Sequence, residues 1–404
     1  MSSKSKFHWP KGLTCIIVIT LIFGYLGYVM GLPNMLNTLM HTSYDLLINT
    51  VFYLMAICVL TGALGKIFVE FGVAELIEKL IRPLMKPLFH LPGVASLGAV
   101  LTFLSDNPAI ITLARDKKFA QYFKKYQYIS LTNFGTAFGM GLLVIIFMIG
   151  QGFYKEPLIG FVGAFCGCIV STRLMQRFII KAYPKFKDEE AVYAVSESVE
   201  AASDREDREA AKAGNAVTST ADNDSSEAAQ ERQPLFIRIL NALLDGGKSG
   251  VETGMSIIPG VLIISTFVMI LTFGPSASGA YTGAAYEGTE LLPWAAGKIN
   301  FIFDWLFGFK DPHLVAFPIT ALGAVGAALG LVPDFVAQGW ADGNAIAVFT
   351  AIGMCWSGYL STHTAMLDSL GYRELTPKAI LAHTIGGLAA AFVAHWLYII
   401  VCLI

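Results

Sequence analysis

The 404-residue chain is 55% hydrophobic and only 14% charged, with a net charge of −2. A soluble domain carries about 25% charged residues, so this composition excludes one and indicates a polytopic membrane protein. The six cysteines all lie within apolar segments, which predicts packing roles and neither a metal site nor a disulfide framework.

Seven apolar segments are long enough to cross a bilayer, and we predict them as spanning helices: 13–31, 44–66, 127–149, 157–176, 250–273, 344–365 and 377–403. The first resembles a signal peptide, but it has full spanning length and lacks a small-residue cleavage site. We therefore expect it to stay as a membrane helix. Two further apolar stretches, 93–114 and 314–339, are broken by polar tips.

Basic residues set the expected orientation. Lysines near the N-terminus predict that it is cytoplasmic, and the basic loops on both sides of 93–114 also favour the cytoplasm. A single crossing by 93–114 would place one of those loops outside. Its two halves, about a dozen residues each, are also too short to span. The segment is therefore predicted to be a re-entrant helical hairpin.

The tip of this hairpin is polar. In FLSDNPAI, three polar residues precede Pro108, which suits the first turn of the outgoing half-helix: Ser105, Asp106 and Asn107. One interpretation is that they bind a solute or Na⁺/H⁺, because ionisable groups inside a membrane are costly and usually functional. The other is that they only cap the half-helix.

The second half of the chain repeats the first. LGAV at Leu97–Val100 recurs at Leu322–Val325, and Pro108 then matches Pro333. Amphipathic segments, 73–93 and 291–312, precede the hairpins and are predicted to lie in the membrane interface. The first span of the first repeat, 44–66, is predicted to run toward the cytoplasm, and the first span of the second repeat, 250–273, away from it. Opposite orientations of this kind are found in the inverted repeats of transporters. The second tip, GLVPDF, keeps the proline and Asp334, for which capping and binding are both open.

The predicted fold is thus an all-α polytopic membrane protein with inverted repeats, about seven spanning helices and two re-entrant helical hairpins. Its units are a tail and extra helix (1–43), a first repeat (44–186), a linker (187–234) and an inverted second repeat (235–404). Residues 187–233 hold 13 acids and 5 bases, whereas the remaining residues hold 17 acids and 23 bases. With few large apolar residues, the linker is expected to be disordered and cytoplasmic, either as a simple connector or as the site for a partner.

Other polar residues lie within the apolar spans. SLTNFGTAFGMG contributes Thr132, Asn133 and Thr136, and WSGYLSTHTAMLDS contributes Ser361, Thr362 and His363. Hydroxyls in membrane helices often bond only to their own backbone, whereas His363 is a candidate for a binding or proton-relay role. Glu252, matched weakly with Asn49, is a candidate cation ligand, or it extends to the interface.

Enzyme motifs are missing from the sequence: it has no phosphate-binding glycine loop, zinc-spaced His/Cys cluster or hydrolase nucleophile elbow. We therefore predict that the protein is not an enzyme, has no cofactor or metal, and binds no nucleic acid. Active transport would have to use an ion gradient.

The stretches LGAVLTFLSDNPAIITLARD, KKFAQYFKKYQYISLTNFGTAFGMG and STHTAMLDSLGY resemble the nucleoside-recognition, or Gate, membrane proteins. That group includes the spore maturation membrane proteins and is related to the core of the concentrative nucleoside transporters. The resemblance covers about 45–180 and 235–404. It implies a core of two hairpins and paired spans around a central site, and a homo-oligomer. Those transporters carry a Gln/Thr/Glu cluster where Ser105, Asp106 and Asn107 stand here.

These observations favour a secondary transporter, coupled to Na⁺ or H⁺, in the bacterial inner or plasma membrane. Its solute would be small and polar, either nucleoside-like by resemblance or an amino acid or related metabolite. The alternatives are a scaffold or signalling protein of the spore-maturation type and an ion channel.

Overall fold

The structure is a computed structural model that describes residues 11–105, 108–115, 117–191 and 234–403, and the regular elements in these ranges are helical. Seven helical segments are long and apolar enough to cross a membrane: Lys11–Met30, Leu32–Glu70, Lys125–Gly150, Glu156–Ala182, Leu235–Thr272, Gly343–Ser369 and Arg373–Leu403. They match the seven predicted spans. The all-α polytopic fold is therefore confirmed.

The first half contains nine helices within the described residues. They are α1 (Lys11–Met30), α2 (Leu32–Glu70), α3 (Val73–Leu84), α4 (Ala95–Leu104), α5 (Pro108–Arg115), α6 (Lys117–Ala120), α7 (Lys125–Thr136), α8 (Gly141–Gly150) and α9 (Glu156–Ala182). Helix α2 includes a π turn at Leu46–Val51, and α3 continues into another at Met85–Phe89. The expected boundary at 43/44 thus falls inside one continuous helix.

The second half follows the same order. Its helices are α10 (Leu235–Thr272), α11 (Leu291–Gly297), α12 (Asn300–Phe307), α13 (Ala316–Gly323), α14 (Val325–Leu329), α15 (Val332–Ala337), α16 (Gly343–Cys355), α17 (Tyr359–Ser369) and α18 (Thr376–Leu403). In α10, a π turn at Val261–Ser265 directly follows Pro259, which removes a backbone donor from the helix. Short 3₁₀ turns join several of these elements.

Counterpart helices of the two halves pack against each other in antiparallel pairs. Glycines of α10 lie against the α2 backbone: a methyl group built on Gly246 would lie 2.3 Å from the Gly62 carbonyl oxygen, and one on Gly250 2.2 Å from that of Cys58. Helices α9 and α18 meet in the same way, with Gly167 next to the Gly386 carbonyl. Such close contact is the usual basis of helix association in lipid.

The first hairpin has the two predicted halves within the described residues, whereas the second breaks at a different residue from the one predicted. Helix α4 ends at Leu104, and Pro108 begins α5, where its missing N–H leaves no bond unmade. In the second hairpin, extended Ala324 separates α13 from α14, whereas Gly330 and Leu331 keep right-handed helical dihedrals between α14 and α15. The break therefore lies at Ala324 and not at the predicted tip, GLVPDF. Gly330 lies against Thr50 and Ser265, the latter donating to the Ala327 carbonyl at 2.9 Å.

The predicted spans 127–149 and 344–365 are each interrupted. The first breaks between Thr136 and Gly141, and the second between Cys355 and Tyr359. The last residue of each break, Met140 and Gly358, has a left-handed φ of 55° and 58°. The chain thus leaves helical geometry at matching points of the two repeats, which frees backbone carbonyls inside the membrane.

The surface agrees with insertion in lipid. Helix α1 buries only Leu26 and Met30 and exposes most of its other apolar side chains. On the predicted interfacial helices, α3 exposes Leu76 and Leu80, and α11 and α12 expose Trp294, Phe301 and Trp305. Aromatic side chains at such positions are typical of a membrane–water interface.

The predicted linker lies mostly outside the described residues. Its first residues, 187–191, are attached to the body: Lys125 pairs with Glu189 at 2.7 Å, and the Ala191 N–H bonds to the Phe123 carbonyl. The unit boundaries proposed from the sequence remain predictions.

The α2–α10 contact can be tested by adding one methyl group. Gly250→Ala forces the methyl into the Cys58 carbonyl, and overpacking of this kind costs about 1–3 kcal/mol. Gly247→Ala is the matched control, because its methyl would meet only Val59 at 3.5 Å, an ordinary contact. We expect Gly250→Ala alone to lower the unfolding temperature of the purified protein. Equal stability of the two variants would contradict the close packing.

Candidate functional site

A chain of buried polar side chains crosses the helices that surround the second break. The Asn133 amide on α7 donates to Ser171 Oγ on α9 at 3.0 Å and to the Ala379 carbonyl on α18 at 3.0 Å. Ser171 Oγ lies 3.0 Å from His383 Nδ1, and His383 Nε2 contacts the Cys355 carbonyl. These side chains are fully buried. The chain therefore joins both repeats at membrane depth.

The bonds of this chain run in one direction. Cys355 ends α16, so its carbonyl is one of the acceptors that the break frees. Since a carbonyl can only accept, His383 Nε2 carries a proton, and neutral His383 then accepts at Nδ1 from the Ser171 hydroxyl. Ser171 in turn accepts from Asn133. The direction is fixed at both ends, because the Asn133 amide N–H can only donate and the Cys355 carbonyl can only accept.

His363 lies beside this chain, next to His383. Its ring lies 4.6 Å from that of His383 and 5.7 Å from that of Tyr359, both edge to face. It is fully buried, and within the described part of the chain neither ring nitrogen has a hydrogen-bond partner. A buried polar atom left unpaired costs about 1–3 kcal/mol. Such an atom is expected to bind water, a proton or a ligand.

Two more unpaired atoms lie on α7. Asn133 Oδ1 and Thr132 Oγ1 are buried and have no hydrogen-bond partner among the described residues. Thr136 shares their helix, but its hydroxyl donates to the Thr132 carbonyl at 2.7 Å and is thereby satisfied. The site thus offers an amide oxygen, a hydroxyl and an imidazole in an otherwise apolar interior.

The first hairpin tip lies elsewhere, against the α2–α10 pair. Ser105 is exposed, donates to the Leu101 carbonyl at 2.6 Å and lines a cavity of about 250 Å³. Polar groups of both long helices line the same cavity: Thr61, Lys66, Asp245, Ser249 and Thr253. The two candidates that follow it, Asp106 and Asn107, lie outside the described residues.

The predicted second tip, GLVPDF, lies inside the helical stretch that follows Ala324, and its Leu331 and Val332 are fully buried. Asp334 lines a separate pocket of about 550 Å³, together with Tyr286, Glu290 and His313. The loop 273–290 forms one wall. Burial opposes ionisation of Glu287 in that loop, but hydrogen bonds from Thr282 and Gly283 outweigh it and hold its pKa below the ordinary value.

The sequence-predicted residues are therefore not all brought together. Asn133 belongs to the buried chain, Thr132 precedes it on α7, and the His363 ring lies beside His383, whereas Ser105 and Asp334 line two other cavities. Ser361 is exposed and donates to the Gly358 carbonyl at 2.9 Å, and Thr362 is buried. Glu252 is exposed on α10, as is its proposed counterpart Asn49, whose amide donates to Asp45.

Ser171, His383 and Tyr359 were missed by the sequence analysis. His383 lies in an apolar span, ILAHTIGGLAAAF, and therefore satisfied the same criterion that selected His363. Ser171 and Tyr359 carry no such signal, because isolated hydroxyls in membrane helices are common.

Comparison with known proteins supports the fold. Residues 51–152 match the Gate family model, described as nucleoside recognition. An uncharacterised protein of Alkalihalophilus pseudofirmus is 31% identical over 97 residues, and this match spans 24% of the chain and only 21% of that relative. The structure of the nucleoside transporter CNTnw, solved inward-facing with substrate, aligns with a TM-score of 0.51 at 11% identity, covering 96% of this chain and 86% of that one. The predicted resemblance is confirmed, and the fold is shared with a membrane transporter.

The buried chain can be tested through its central hydroxyl. Ser171→Ala removes the partner of His383 Nδ1 and one partner of Asn133, so we expect a loss of about 1–3 kcal/mol in stability. Ser256→Ala is the control, because its exposed hydroxyl bonds only to the Thr253 carbonyl on its own helix. Thermal unfolding of both variants in detergent measures the difference. An unchanged Ser171→Ala protein would exclude the proposed bonds.

Proposed function

We propose that the protein is a secondary active transporter that moves a small polar solute, with a cation gradient as the driving force. The observation that carries this proposal is the buried chain at the second break together with the adjacent His363, whose ring nitrogens have no hydrogen-bond partner among the described residues. A protein that only needs stability has no reason to hold a fully buried imidazole without a partner. A transporter needs such groups, because they bind and release cargo.

The inverted repeats support alternating access. Discontinuous spans and re-entrant hairpins leave backbone groups free at mid-membrane, where transporters of this plan bind substrate and ions. Here each repeat supplies one broken span. Rocking of one repeat against the other would expose the site between them first to one side and then to the other.

A proton is our preferred coupling ion, with Na⁺ as the alternative. The sequence lacks a phosphate-binding loop, which leaves an ion gradient as the driving force. The His363–His383 pair supplies imidazole rings, which can take up and release a proton, next to a hydrogen-bonded chain through Ser171 and Asn133. Asp106 is the second candidate for the cation, because a carboxylate inside a membrane is costly and usually functional.

Nucleosides are the first substrate class to test. The matching family model carries the description nucleoside recognition, and it covers the first hairpin with α7 and α8. The unpaired Asn133 oxygen and Thr132 hydroxyl have the chemistry to bond base or ribose groups. We place the protein in the inner or plasma membrane with its N-terminus and residues 187–234 in the cytoplasm, and we expect a homo-oligomer.

If His363 carries the coupling proton, replacing it should impair transport. His363→Gln should reduce pH-driven nucleoside uptake into proteoliposomes by about tenfold or more, because glutamine cannot carry the proton. His395→Gln is the matched control, since His395 is also a buried helix histidine but bonds to Asn344 Oδ1 at 2.8 Å. Retained pH-driven uptake in His363→Gln would exclude His363 as the proton carrier. No uptake by the wild type under any gradient would favour a scaffold, and uptake that never exceeds equilibration would favour a channel.

The hairpin tip gives a second prediction. Asp106→Asn should abolish ion-driven uptake while the unfolding temperature stays unchanged, because the amide keeps the shape but loses the charge. Asp368→Asn is the control, since Asp368 forms only a surface pair with Arg373 at 3.5 Å. Normal transport by Asp106→Asn would remove Asp106 from the site.

A further inference from the structure

A basic pocket lies at the opposite end of α9 from its first residue, away from both hairpin tips. It has a volume of about 890 Å³ and is bounded by the end of α3, the start of α7 and the last turns of α9. Four cationic side chains line it, together with His90, and no carboxylate of the described residues does: Lys86, Arg173, Arg177 and Lys187. Nothing in the proposed transport cycle uses these residues.

The pocket wall is held by side chains that satisfy its backbone carbonyls. Arg173 donates to the Leu88 carbonyl at 2.8 Å and to the Pro87 carbonyl at 3.2 Å. Gln176 donates to the Phe89 carbonyl at 2.9 Å, and Gln127 to the His90 carbonyl at 2.7 Å. These donors fix the turn that follows α3. They also occupy these backbone acceptors, so the turn leaves few carbonyl oxygens to repel an anionic ligand.

The positive charge of the pocket has no acidic partner among the described residues. Lys86, Arg177 and Lys187 are exposed and form no ion pair there, and the nearby Glu189 already pairs with Lys125. Burial and the neighbouring Arg173 lower the pKa of His90, which contacts Arg173 through Nδ1. His90 therefore stays neutral at physiological pH. The surplus charge comes from the lysines and arginines.

The exposed face of α3 indicates where the pocket lies relative to the membrane surface. Leu76, Leu80 and Leu84 form one stripe on this helix, with 68%, 77% and 42% of their surfaces exposed. Such a stripe on an amphipathic helix lies in lipid. Lys86, two residues after Leu84, begins the pocket, which therefore opens at the level of the lipid headgroups. The same face carries the basic residues that predict the cytoplasmic side.

We propose that this pocket binds the phosphate headgroup of an anionic phospholipid. Lysine and arginine side chains pair strongly with phosphate oxygens, and basic pockets between membrane helices are suited to such headgroups. The apolar stripe of α3 would accompany the acyl chains, and the pocket would hold the phosphate. A bound lipid would then link α3, α7 and α9, the elements that flank the first hairpin.

The test compares two double variants of the full-length protein. Lys86→Gln with Lys187→Gln removes two charges from the pocket, and Lys181→Gln with Lys185→Gln removes two exposed lysines from the same end of α9, outside the pocket. Each protein is placed in phosphatidylcholine nanodiscs, and binding of added phosphatidylglycerol is measured by native mass spectrometry. We expect the pocket variant to bind phosphatidylglycerol roughly thirtyfold more weakly and the control to bind like the wild type.

A second arm separates lipid from soluble phosphate. Inorganic phosphate and glycerol phosphate are titrated into the wild type, with its unfolding temperature as the readout. Weak or no stabilisation by these anions, with tight binding of phosphatidylglycerol, supports the lipid assignment. Stabilisation by inorganic phosphate at concentrations that match lipid binding overturns it in favour of a soluble ligand. An equal loss of lipid binding in both double variants, or no lipid on the wild type, overturns the site itself.

Discussion

The structure depends on backbone contact between α2 and α10. Gly246 and Gly250 leave no room for a methyl group against Gly62 and Cys58, so the two long helices touch along their main chains. Lipid supplies little hydrophobic force between helices, and close packing must therefore hold them together. Both hairpins rest on this pair: Leu104 lies against Gly65, and Gly330 lies against Thr50. A displacement of either helix would therefore shift both hairpins.

The second antiparallel pair, α9 with α18, encloses the polar chain. Ser171 and His383 come from these two helices, one from each repeat, and Asn133 and Cys355 come from the two broken spans. The chain therefore forms only when the repeats are assembled. This arrangement couples the position of each repeat to the hydrogen bonding around His363. A change in its protonation would alter contacts on both sides of the repeat interface.

Much of the fold could be predicted because membrane insertion imposes simple rules. Length and apolarity identify spans, and basic loops assign sides, so 93–114 could be recognised as a hairpin. The LGAV repeat and the shared prolines indicated the inverted partner. The interruptions at Met140 and Gly358 were not predicted, because an apolar segment reads the same whether its helix is continuous or broken. The site was predicted in part: His363 and Asn133 carry a compositional signal, and Ser171 does not.

The sequence by itself determined the class of protein, the number of spans, the two hairpins and the candidates at the first tip, since each follows from local composition and charge. Only the tertiary structure decided which polar residues meet. Asp334 and Ser105 face different cavities, although the repeat predicted both to lie at hairpin tips. His383 joins His363 because α18 crosses the second break, and Lys86 joins Arg177 because α3 ends beside α9. Contacts between distant residues depend on how the helices cross. The crossing is set by side-chain packing between segments far apart in the sequence, which local composition does not predict.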